Sequence, residues 1–109
     1  MLAKKGAFKD FPFGPVAAVF KVAGKMFALV AWQDKPLRVT LKCDPDDAQA
    51  LRSMFDAVEP AYHMNKEHWN TITLDGTVPK GVLLQMIDDS YALVVKGLRK
   101  ADRMKLEGF

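Results

Sequence analysis

Leu37-Arg38-Val39-Thr40-Leu41-Lys42-Cys43-Asp44-Pro45-Asp46-Asp47 holds a strand and the start of a helix back to back. Leu37, Val39 and Leu41 alternate with Arg38, Thr40 and Lys42, so one face is apolar and the other basic. Asp44 then suits an N-cap, Pro45 the first helical position, and Asp46 and Asp47 the positive end of the helix dipole. A two-sided strand feeding directly into a capped helix is the signature of a sheet with helices laid on it.

Outward toward the N-terminus, Val16 to Trp32 reads as a β-hairpin. Val16-Ala17-Ala18-Val19-Phe20-Lys21-Val22 is β-branched and aromatic, and Ala23-Gly24 supplies a tight turn. Lys25 to Trp32 returns, and Gln33-Asp34-Lys35-Pro36 turns again into the strand at Leu37. Residues 1–14 read as a leading loop whose Phe11 and Phe13 plug one end of the core, because Pro12, Gly14 and Pro15 forbid helix there.

Toward the C-terminus, Ala48, Leu51 and Phe55, with Met54 beside them, form the expected buried stripe of the first helix. That helix must end before Pro60. His68 to Leu74 reads as a strand, with Trp69, Thr71 and Thr73 on one face and Asn70, Ile72 and Leu74 on the other. Thr77 is placed to cap a long last helix, with Pro79 in its first turn. Its stripe is Leu83, Ile87, Tyr91, Val94 and Leu98, supported by Leu84 and Val95, and it frays beyond Arg99. The order gives an α+β fold: an antiparallel β-sheet with helices packed on one face, in a single domain spanning 1–109.

With 109 residues, half of them hydrophobic, the chain can bury a core without metal or disulfide support. The single cysteine, Cys43, excludes an internal disulfide framework and fits a reducing, cytoplasmic setting. No apolar run approaches a membrane span, and the basic N-terminus leads into no secretory signal. The net charge of +3 admits an anionic partner without requiring one.

Five blocks, in sequence order, carry a family likeness: Phe11-Pro12-Phe13-Gly14; Lys25-Met26-Phe27-Ala28; Leu41-Lys42-Cys43-Asp44-Pro45; Pro60-Ala61-Tyr62-His63-Met64-Asn65-Lys66 with His68-Trp69-Asn70; and Asp88-Asp89-Ser90-Tyr91. Together they resemble the MmcQ/YjbR family of small bacterial proteins, from about Phe11 to Leu98. The resemblance implies a frataxin-like (CyaY-like) fold and a double-wing arrangement for DNA binding, in which β-hairpins flank a helical element. The chain departs from that pattern twice. Only about ten residues precede the Phe-Pro-Phe-Gly block, so the family's N-terminal helix is expected to be short or missing, leaving an edge or face that a second copy could cover. Lys80 also stands where the family tends to carry an acid in the first turn of the last helix.

Chemistry-bearing patterns are sparse. His63 and His68 have no Cys or acid at ligand spacing, so neither a metal nor another cofactor is expected. Cys43 has no glycine elbow or orienting acid to mark it as a nucleophile, and it reads as a small buried side chain. No phosphate-binding glycine loop occurs. The expectation is therefore a non-enzymatic binding module.

Two kinds of partner stay open. One is DNA, with Lys21, Lys25, Lys35, Arg38 and Lys66 on phosphates from basic hairpin tips. Asn65 and Asn70 are candidates to read base edges, and Trp69, Tyr62 and His63 to stack on unpaired bases. The other is a protein or small anionic ligand held by Tyr62, His63, Asn65, Lys66 and Trp69. Against both stands the plain alternative, that the lysines are solvated surface, the aromatics core, and Asn65 a turn residue bonding local backbone. A monomer and a homodimer are both compatible with the sequence.

Overall fold

A computed structural model describes residues 4, 6–11, 17–31, 35–61 and 64–107. In chain order the elements are β1 (Ala7–Asp10), β2 (Ala18–Val22), β3 (Lys25–Ala31), β4 (Arg38–Lys42), α1 (Pro45–Met54), β5 (Val58–Pro60), β6 (Trp69–Thr73), α2 (Lys80–Lys96) and α3 (Lys100–Glu107). The strands form one six-stranded sheet in the order β1-β2-β3-β4-β6-β5, and every neighbouring pair is antiparallel. The expected α+β architecture is therefore present.

The hairpin of β2 and β3 turns at Ala23-Gly24, both at positive φ, 50° and 79°. Two consecutive left-handed residues make a type I′ turn, whose twist matches that of the strands it joins. Within this hairpin Phe20 faces Ala28 while Lys21 faces Met26, so Phe27 is an extra residue on β3. The resulting β-bulge turns Phe27 toward the same side as Ala28. Both are fully buried, although strict alternation would have put one of them on the far face.

The helices cover the face carrying Ala28, Val39, Leu41 and Ile72, which joins Met86, Val94 and Leu98 in the core. Tyr91 meets Phe27 edge to face, ring centroids 5.4 Å apart at 87°. Ser90, fully buried on α2, donates from Oγ to the Phe27 carbonyl at 2.5 Å and accepts from the Lys42 N–H at 2.9 Å. Ala28 with Leu41 is the last ladder pair of β3 and β4. Phe27 and Lys42 would come next, and the Ser90 hydroxyl sits between their backbone groups, so both bulge-orphaned groups are satisfied.

Several sequence expectations need correction. The segment 7–10, read as loop, is a strand, because its backbone can pair with Val19 to Val22 of β2. No helix precedes it among the described residues. Phe11 is exposed, with the Lys9 ammonium 5.7 Å from its ring centroid, and does not plug the core; Phe13 and Trp32 lie outside the described residues. Met54 is 68% exposed, because α1 ends there and the chain turns away. Of the one or two strands expected between the helices, the second is the short β5; Pro60 closes it on a sheet edge, where a missing N–H costs no ladder bond.

Thr77 does not cap α2. Its N–H and hydroxyl both donate to Asp75 Oδ1, at 3.0 and 2.6 Å, which holds that carboxyl below its usual pKa. Pro79 occupies the cap position with no side-chain cap bond, and the first turn holds no acid. Leu84 is 50% exposed; the buried positions of α2 are Met86, Ser90 and Val94. Residues 100–107 form a separate helix after Gly97 rather than fraying. Thr40, placed with Arg38 and Lys42 on the basic face, is buried and shares a 3.0 Å hydroxyl contact with Thr71 of β6.

Candidate functional site: the basic end of the sheet

Asp44, the cap of α1, accepts from the Asp46 N–H at 3.0 Å, so β4 stops and the chain lifts off the sheet just past Lys42. Lys42 is paired in register with Trp69, the first residue of β6. The Cys43 N–H donates to the His68 carbonyl at 2.7 Å, continuing the pairing into the loop. That loop is closed from within. Asn65 Oδ1 accepts from the Glu67 N–H at 3.0 Å, and the Asn65 carbonyl accepts from the His68 N–H at 3.1 Å. Asn65 thus takes the local-backbone role open to it from sequence.

Arg52 of α1 clamps the same loop. Its Nε donates to Asn70 Oδ1 at 2.7 Å, and its Nη2 donates to the carbonyls of Lys66 and Trp69. Asn70 Nδ2 in turn faces the Ala48 carbonyl at 3.4 Å. Asn70 is only 2% exposed, so it is a fastener between α1 and β6 and cannot reach a base edge.

Two adjoining hollows open at this end of the sheet, sharing Lys42 and Trp69. One, of about 360 Å³, is lined by Cys43, Asn65, His68 and Leu93 among others. The second, of about 370 Å³, runs past Lys25, Met26, Val94 and Gly97. They lie between the β2–β3 turn, the loop 61–68 and the C-terminal turn of α2. Among the described residues neither Lys25 nor Lys42 has an ion-pair partner. Lys96 and the exposed Arg99 and Lys100 follow at the same end of α2.

The structure therefore brings Lys25, Asn65 and Trp69 to one end of the sheet, with Lys66 next to Asn65 in the loop there, and sets three other basic candidates apart. Lys21 is held by Asp10 at 3.0 Å, an ion pair that keeps the Asp10 carboxyl below its usual pKa. Lys35 and Arg38 lie at the opposite end of β3, whose seven residues span roughly 23 Å. Tyr62 and His63 fall outside the described residues. Lys42 and His68 were missing from the sequence-based set. Alternation placed Lys42 on the polar face, but its neighbour Trp69 emerges only once β6 is known to pair with β4. Cys43 is half-buried rather than buried. Burial first, then Asp47, Asp89 and Asp44, push its thiol up to about 11, and Arg52 opposes them. Such a thiol stays protonated near neutral pH. Among the described residues no three His, Cys, Asp or Glu side chains gather to hold a metal ion. No helix among the described residues is long and apolar enough to cross a membrane.

The family model for YjbR matches residues 2–93. The chain is 34% identical over 105 residues to the uncharacterized protein YjbR of Escherichia coli K12, covering 96% of this chain and 89% of that one. It is 35% identical over 96 residues to the uncharacterized protein YbdF of Escherichia coli O157:H7, covering 88% of this chain and 79% of that one. Among solved structures, a Deinococcus radiodurans protein with a DUF419 domain superposes at a TM-score of 0.87 with 42% identity, over 94% of this chain and 78% of that one. A Pseudomonas syringae protein superposes at 0.71 with 32% identity, over 84% and 89%.

Proposed function

Because this chain belongs to the YjbR family, whose matched relatives bring a fold but no described chemistry, we propose from its own geometry that it is a non-enzymatic DNA-binding module. The observation that carries this reading is the placement of Lys25 and Lys42 in two hollows that share Trp69 at one end of the sheet, with Lys66 following Asn65 in the loop beside them. Two hairpin loops share that end: the β2–β3 turn, and the β5–β6 connection. In the sheet order they are three strand spacings apart, roughly 14 Å. That span is close to the ~12 Å width of a major groove. A loop on each side of a groove, with Lys42 between them, suits the two phosphate backbones of a duplex. The C-terminal turn of α2 lies between the loops, and Lys96 there offsets the negative end of its dipole.

Lys35 and Arg38 sit at the other end of the sheet, Arg38 roughly 13 Å along β4 from Lys42, outside the two loops that flank the groove. The Lys25→Glu/Lys42→Glu double variant is therefore expected to lose duplex binding at low salt. The Lys35→Glu/Arg38→Glu variant, with the same charge change, is expected to stay within about threefold of wild type. Equal losses would point to non-specific attraction by net charge and remove the assigned surface.

A second reading rests on the concavity beside Trp69, Asn65 and His68. A hollow of that size suits a small anionic ligand, or a single strand stacking one base on the indole. Preference for single strands over duplex, lost in Trp69→Ala, would favour it.

A further inference from the structure

The two large helices do not close over the whole sheet. α1 packs on β5, and α2 packs on β2, β3 and β4. Between them lies a cleft of about 420 Å³ on the helix-covered face, which shares Lys42 and Cys43 with the hollows at the basic end. Its floor is Leu41 and Ile72, and its walls include Leu51, Val82 and Met86. Such floor residues are ordinarily roofed by another side chain. Here the wall at Gly81 is open, for a Cβ built there would meet nothing within 4 Å.

The charged part of its lining is two acids and one base, Lys42. Asp47 from the first turn of α1 and Asp89 from the middle of α2 are the acids. Gln85 Nε2 donates to Asp89 Oδ1 at 2.8 Å and fixes that carboxylate at the rim. The thiol of Cys43, also in the lining, is held protonated first by burial and then by Asp47 and Asp89, with Arg52 the opposing cation. The fully polar lining residue, Asn70, is already satisfied by Arg52 and Ala48, so it asks for no ligand atom.

We propose that the α1–α2 cleft is a binding site for a small organic amine, its apolar body on Leu41, Ile72, Val82 and Met86 and its ammonium between Asp47 and Asp89. The volume matches a ligand of modest size, and the apolar surface with a few convergent polar groups is the usual make-up of such a site. The charge decides the class. The lining sets two acids, Asp47 and Asp89, against one base, Lys42, so an ammonium is favoured over a carboxylate or phosphate, and a neutral apolar molecule leaves the excess negative charge unanswered. The cleft shares Lys42 with the surface assigned to DNA, but its test reads Asp47 and Asp89, which the DNA reading does not use.

Three probes of one shape test it: phenethylamine, 2-phenylethanol and 3-phenylpropionate, titrated into the intact protein. Backbone amide shifts of Ile72, Val82 and Met86 report occupancy, and slowed alkylation of Cys43, the single cysteine, reports it independently. The amine is expected to bind at least about fivefold more tightly than the alcohol, and the carboxylate not to bind. The Asp47→Asn/Asp89→Asn variant is expected to bring the amine down to the alcohol's affinity. The Ala50→Trp variant, altered at an exposed cleft position, is expected to block both while leaving the amide spectrum folded. Equal affinity for amine and alcohol would overturn the charge assignment, and no shifts from any probe would make the cleft a packing gap.

Discussion

The Ser90 hydroxyl is inserted between β3 and β4, accepting from the Lys42 N–H at 2.9 Å while donating to the Phe27 carbonyl. A polar residue in the apolar stripe of α2 thereby completes a backbone ladder interrupted by the Phe27 bulge. Ser90→Ala strands two buried backbone groups, and such losses cost about 1–3 kcal/mol. Urea denaturation is expected to show that loss. A change under about 0.5 kcal/mol, the usual range for an uninvolved surface site, would contradict the clasp.

Arg52 holds the loop before Trp69 through the Asn70 side chain and two carbonyls. Arg52→Ala is expected to speed amide exchange at His68, whose N–H bonds the Asn65 carbonyl inside that loop. Arg52→Lys is expected not to restore protection, because an ammonium lacks the guanidinium fork that reaches several acceptors at once. Unchanged exchange in Arg52→Ala would show the loop to be held by its own turn alone.

Ala23 carries φ of 50° in the β2–β3 turn, a conformation that suits Asn or Gly better than Ala. Ala23→Asn creates the Asn-Gly pair favoured in type I′ turns and is expected to raise stability by about 0.5–1 kcal/mol. Thermal unfolding reads the gain, and a lowered Tm would contradict the turn assignment.

Much of the fold is written locally. The strand ending at Lys42, the Ala23-Gly24 turn and the Asp44-Pro45 cap depend on neighbours within a few residues, and each appears as expected, although Thr40 is buried and Leu37 exposed against the alternation. What was not legible depends on partners far along the chain. Residues 7–10 become a strand because β2 offers them an edge, and Val58 to Pro60 because β6 does. The bulge at Phe27 breaks the period-two pattern, and Ser90 makes sense only beside it. The site follows the same rule. Asn65 and Trp69 were readable from a dense local block, whereas Lys42 joins them through the pairing of β4 with β6. The α1–α2 cleft is a gap between elements and leaves no mark in sequence.

The Cys43 thiol, raised from its usual 9.0 to about 11 by burial and by Asp47 and Asp89, makes a pH prediction. In the unfolded chain the thiol ionises near its usual value, while in the folded chain it keeps its proton longer. Its contribution to stability is therefore constant below pH 9 and falls away as pH rises toward 11. Alkylation at pH 7.5 is expected to be slower than for an unfolded control, and Cys43→Ala is expected to flatten the alkaline part of the stability profile. An alkaline slope unchanged in Cys43→Ala would place its origin elsewhere.

The most direct test of DNA binding at the basic end is a titration of labelled duplex and single-stranded DNA at 50 and 200 mM salt. With Lys25, Lys42 and Lys66 each releasing counterions from a duplex phosphate, affinity should fall roughly 40-fold between these two conditions, and duplex should bind more tightly than single strand. Absence of duplex binding at the lower salt, or affinity indifferent to salt, would contradict the account.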